Sequence, residues 1–110
     1  METVYYTTVD NEVVCEMLER MTSQTFKLLP MREEEQEWIK PLETLSIELL
    51  GLSKIFPENP SLFSAVCKME GIKELGERME FMTYRRTIFE ICGLLTKARE
   101  KLAKEGTECQ

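Results

Sequence analysis

Thiols and glutamates are the side chains in this sequence that could do chemistry, because it contains no histidine. That absence removes the commonest general base and the commonest metal ligand. Cys–His and Ser–His–Asp nucleophile systems cannot be assembled within the chain. The four cysteines are Cys15, Cys67, Cys92 and Cys109, and no two form a CxxC pair. A zinc site would need all of them gathered from distant segments, so no metal is expected. Cys15, Cys67 and Cys92 fall within helical patterns and read as small core residues, while Cys109 near the terminus reads as exposed. No disulfide is expected. Glu33, Glu34, Glu35 and Glu37 cluster, but few apolar neighbours are present to raise a carboxyl pKa by burial. Asp10 is the one aspartate, and it sits where a helix cap is predicted.

Gly71-Ile-Lys-Glu-Leu-Gly76 spaces two glycines as a P-loop does. Glu77 and Arg78 follow where Lys and Ser or Thr are needed, and no strand precedes, so the phosphate cradle fails. Tyr84-Arg85-Arg86-Thr87 is the compact basic cluster. Lys97, Arg99, Lys101 and Lys104 make the end of the same segment basic, as suits a helix C-terminus. Arg85 and Arg86 lie mid-segment and are expected to pair with acids of the first or second helix, or to meet an acidic partner. These residues point to no reaction and no cofactor.

The elements that carry them are helices. Pro57-Glu58-Asn59-Pro60 is the strongest punctuation. Before it, Asp10 or Asn11 caps a first helix with the stripe Val14, Leu18, Met21, Thr25, Leu28, which Pro30 should end near Leu29. The next stripe is Trp38, Leu42, Leu45, Leu49, Leu52, Phe56, flanked by Ile39, Ile47, Leu50 and Ile55. Because Trp38 lies on that stripe, the second helix is predicted to start around Met31 to Glu35 and bend at Pro41. A start near Lys40 with proline in the first turn is the alternative. A short third helix runs from Pro60 to Glu70, with Asn59 as its cap. The rest of the chain is organised around Ile72–Lys104, which has no proline. Tyr84, Ile88, Ile91, Leu95, Ala98 and Leu102 recur there at heptad spacing. Unbroken, this helix would be about 50 Å long at ~1.5 Å per residue, with Gly76 and Gly93 as its weak points.

The predicted fold is therefore all-α. It is an elongated up-down bundle of three long helices plus one short helix, packed in coiled-coil fashion. Residues 1–9 form an extended arm and residues 10–110 a single bundle domain. Hydrophobic residues make up 43% of the chain, enough for a core, and the net charge is −6, which disfavours nucleic acid. Residues 1–60 carry 12 acids and 5 bases, and residues 61–110 carry 8 and 9. The halves should attract mildly. No secretory signal or membrane-length apolar run is seen, and the unpaired cysteines suit a cytoplasmic or nuclear setting.

The long helix has more apolar residues than one contact can cover. Beside its stripe lies a second row of Met79, Met82, Phe89 and Cys92. One row can pack on the first two helices, and the short third helix cannot cover the other. The candidate partner-binding residues are thus Met79, Met82, Tyr84, Arg85, Arg86, Ile88, Phe89, Ile91, Cys92, Leu95 and Leu102. Most of the seven methionines are expected in the core, although methionine-rich faces also suit adaptable helix grooves. The expected function is a non-enzymatic interaction module, a subunit or adaptor of an intracellular complex. It would pair with another protein or with itself through the second or the long helix. A self-contained bundle that binds a peptide helix or small apolar ligand is the alternative, and a nucleic-acid-associated subunit a weaker one.

Overall fold

The computed structural model describes residues 11–108. The expected arm over residues 1–9, the cap at Asp10 and the position of Cys109 lie outside them. Four helices occupy nearly all of the described chain: α1 (Asn11–Glu33), α2 (Ile39–Ile55), α3 (Pro60–Leu75) and α4 (Phe81–Glu108). No strand occurs among the described residues. The helices alternate up and down. α4 packs most extensively on α1, α3 lies between α2 and α4, and α1 touches α2 only lightly. The body measures 48 × 23 × 19 Å, so it is elongated as the stripes require.

The heptad stripes converge on one core. Val14, Leu18, Met21 and Leu28 of α1 meet Leu42, Leu45, Leu49 and Leu52 of α2, and Leu62, Ala65, Val66, Met69 and Ile72 of α3. Tyr84, Ile88, Ile91, Leu95, Ala98 and Leu102 of α4 complete it. A chain of polar contacts sets the antiparallel register of α1 on α4. Asn11 donates to the Leu102 carbonyl at 3.0 Å, Cys92 lies 3.8 Å from the Thr22 carbonyl, and the Tyr84 hydroxyl donates to the Leu28 carbonyl at 3.0 Å. Asn59, buried at the start of α3, donates to the Ala98 carbonyl at 3.1 Å and so ties the α2–α3 turn to α4.

Three boundaries differ from expectation. α1 does not end at Leu29 but runs through Pro30 to Glu33. The proline sits exposed in the last turn, where its ring costs one backbone bond. The acidic run then stops the helix instead of starting the next. Gln36 N–H donates to the Met31 carbonyl at 2.7 Å and Glu35 N–H to the Arg32 carbonyl at 3.1 Å. Glu35 has φ 59°. This is a Schellman cap with glutamate in the left-handed position that glycine usually fills.

α2 accordingly begins at Ile39, not between Met31 and Glu35, and it does not bend at Pro41. Pro41 falls in the first turn, where its missing N–H leaves no gap. The Glu37 carboxylate accepts from the Ile39 and Lys40 amides at 3.0 and 3.1 Å. Trp38 belongs to the core without being helical. Its ring stands edge-on to Tyr84, with centroids 5.1 Å apart.

The long helix is in fact two. Ile72 to Leu75 extend α3 straight through Gly71, and α4 starts only at Phe81. Gly76 marks the break. A Cβ built there would fall inside 3.0 Å of both the Trp38 ring atom Cη2 and the Ile72 carbonyl oxygen. The Trp38 ring thus lies where a further helical side chain would stand, and the chain turns over residues 76–80.

Candidate interaction surface

α4 exposes less than its apolar content suggests. Its stripe residues Tyr84, Ile88, Ile91, Leu95 and Leu102 are at most 1% exposed. They are occupied by the chain's own core. The second row divides. Cys92 is buried against α1, and Met79 packs partly on the core. Only Met82 and Phe89 remain exposed. Phe89 lies edge-on to Phe26 of α1 with centroids 5.4 Å apart. The expected pairing of Arg85 with an acid is replaced by stacking, its guanidinium lying 4.7 Å from the Phe89 ring centroid. Arg86 is exposed, and neither arginine forms an ion pair among the described residues. Of the residues expected to bind a partner, Met82, Arg85, Arg86 and Phe89 therefore lie together at the surface of α4.

A broader apolar surface lies on α2. Ile47 is 72% exposed, Ile55 50%, and Leu50 37%. Phe63 of α3 is 59% exposed and lines a groove of about 510 Å³ with Leu50, Ser53, Lys54, Pro57 and Pro60. On the other flank the Arg20–Glu48 ion pair at 2.9 Å sets α1 against α2. Of the nine large apolar side chains exposed among the described residues, four are Ile47, Leu50 and Ile55 of α2 and Phe63 beside it. Gly51, also exposed, has open space where a side chain would project. Along this face Glu43, Ile47, Leu50 and Lys54 step by four, three and four, within a sector roughly 60° wide at 3.6 residues per turn.

The ionisable groups of the interior are held neutral or tied up. Burial pushes the Cys92 thiol up to about 12 and the Tyr84 hydroxyl up to about 12, the latter opposed by the nearby Arg32. Burial also raises Cys15, partly offset by Arg99. A hydroxyl donated by Ser46 at 2.7 Å, helped by Lys73, holds the Glu70 carboxyl below its ordinary value. Arg32 spans the end of the bundle, donating to the Met79 carbonyl and lying 4.7 Å from the Tyr84 centroid. Among the described residues no three His, Cys, Asp or Glu side chains converge as metal ligands, and no helix is long and apolar enough to cross a membrane.

Sequence reasoning placed Ile47, Leu50 and Ile55 as flanks of a stripe and left them out of the binding set. Their spacing was the usable signal. Each lies off the buried stripe of a helix whose other face was already full. Phe63 had no such signal, because its exposure depends on how α3 rotates against α2.

Comparisons with protein-family models, with curated proteins and with solved structures find no match to this chain.

Proposed function

We propose that this chain is a non-enzymatic protein–protein interaction module and that the outer face of α2 is its docking surface. The observation that carries the reading is the pair Ile47 and Leu50, exposed one turn apart beside Phe63 on a helix whose opposite face already fills the core, with Ile55 exposed further round the same helix. A helix that only closes a bundle needs one apolar stripe, and a second row implies a second contact. Contiguous apolar surface of this kind marks interaction sites. Seventeen-residue α2 carries just four charges, Lys40, Glu43, Glu48 and Lys54. The ligand that suits a narrow, weakly charged apolar ridge beside a groove is another amphipathic helix. The lack of histidine and the neutral Cys92 thiol support a binding role over a catalytic one.

The test is site-specific photo-crosslinking in cells expressing the chain. A benzophenone amino acid at Ile47 should give a discrete protein adduct. The same group at exposed Lys97, on the outer side of α4, should give none. Absence of any adduct from position 47 would refute the assignment of this face.

A further inference from the structure

The four residues along the outer edge of α2 form a pattern that is complementary to its own reverse. Glu43, Ile47, Leu50 and Lys54 run acid, apolar, apolar, base. The midpoint lies between Glu48 and Leu49. Ile47 and Leu50 stand equally far from it, and so do Glu43 and Lys54. If a second α2 is laid antiparallel across this midpoint, Ile47 meets Leu50 of the other copy, twice. Glu43 meets Lys54 of the other copy, also twice. A parallel arrangement would instead place glutamate on glutamate and lysine on lysine. We infer that the occupant of the α2 face is a second copy of this chain, bound antiparallel about a two-fold axis between Glu48 and Leu49. This inference rests on the docking role proposed above.

Three features of the structure agree with it. Among the described residues Glu43 and Lys54 form no ion pair within their own chain, so both charges are free for the contact. Gly51, beside Leu50, leaves open space that lets a facing helix approach closely. The groove of Leu50, Pro57, Pro60 and Phe63 lies beneath the end of the stripe that the Glu43–Ile47 half of the second copy would cover. A two-fold contact uses the same patch on both subunits, which is what a self-complementary stripe provides. One exposed helix face with its flanks falls at the small end of stable interfaces. The dimer is expected to exchange with monomer.

Charge reversal separates this arrangement from the alternatives. In E43K, two lysines face each other at both ends of the contact, and in K54E two glutamates do. Each single variant should weaken dimerisation about tenfold or more, since two ion pairs become two repulsions. The double variant E43K/K54E restores opposite charges at both ends and should return to within about threefold of wild type. Sedimentation equilibrium of the full chain across the micromolar range reads all four proteins, with circular dichroism confirming that each remains folded. A wild type that stays monomeric throughout, or a double variant weaker than either single one, overturns the inference. The crosslink at position 47 then separates the two readings. An adduct to a different protein removes the second copy as occupant and leaves the docking face standing. No adduct removes both.

Discussion

Gly76→Ala tests whether Trp38 is what breaks the last third of the chain into two helices. From propensity alone the substitution should stabilise, because alanine is favoured over glycine by about 1 kcal/mol in helical backbone. Gly76 has helical angles, φ −59° and ψ −33°. The structure reverses the sign. The added methyl would fall inside 3.0 Å of Trp38 Cη2 and of the Ile72 carbonyl oxygen. The tryptophan is buried and edge-on to Tyr84, so the ring can retreat only by disturbing the core. The carbonyl is backbone and cannot rotate away. Overpacking of this kind costs typically 1–3 kcal/mol. Taking about 3 for two unyielding contacts and returning about 1 for propensity leaves a net loss of about 2 kcal/mol. For a domain this size that lowers Tm by roughly 10 °C. Urea and thermal unfolding followed by far-ultraviolet circular dichroism measure it. In a Trp38→Phe background Cη2 is gone, and Gly76→Ala should cost measurably less than in wild type. A stabilised Gly76→Ala protein, or a cost unchanged by Trp38→Phe, would refute the account of the break.

Leu45→Ala and Leu49→Ala should each lower unfolding free energy by about 2–5 kcal/mol in urea titrations, since both side chains lie in the shared core. Glu35→Gly should stabilise by about 0.5–1 kcal/mol in the same assay, because glycine takes the left-handed conformation without the cost to a β-carbon. Cys67, exposed where its helical pattern suggested a core residue, should react promptly with a thiol reagent at neutral pH, and buried Cys92 only as fast as the fold opens. Cys92 and Tyr84 are raised from 9.0 and 10.0 to about 12 on folding. Each favours its neutral form in the native state, so the stability this contributes is full below the unfolded value and is lost as pH rises towards 12. The urea midpoint should fall from neutral pH into that alkaline range.

The stripes were readable because burial along a bundle imposes heptad spacing on each helix independently. Val14 to Leu28, Leu42 to Leu52 and Tyr84 to Leu102 needed no knowledge of their neighbours. The boundaries were not readable, because each depends on contact at a distance. Trp38 shared the period of the α2 stripe while standing outside the helix, and only its contacts with Tyr84 and Gly76 explain its place. The run of acids after Arg32 carries the charge of a helix start, yet it forms a helix stop through a glutamate in a glycine's conformation. Part of the apparent surplus on α4 found cover elsewhere, Cys92 against α1 and Met79 in the turn that precedes the helix. The surplus on α2 had been visible as flanking isoleucines and leucine, but which surplus stayed uncovered was decided by how the helices rotate against one another.

The register of α1 on α4 also bears on how the bundle is reached from the unfolded chain. α2, α3 and α4 each pack on a neighbour in sequence, whereas the α1–α4 seam joins the two ends. Its contacts span 56 residues at Leu28–Tyr84, 70 at Thr22–Cys92 and 91 at Asn11–Leu102. Loop closure grows only as the logarithm of length, so the far end of the seam costs about 0.4 kcal/mol more to close than the near end. The near end is the cheaper to close first, and the seam is expected to form from Leu28 towards Asn11. Because it joins late, weakening it at Asn11 should speed unfolding and leave the folding rate almost unchanged.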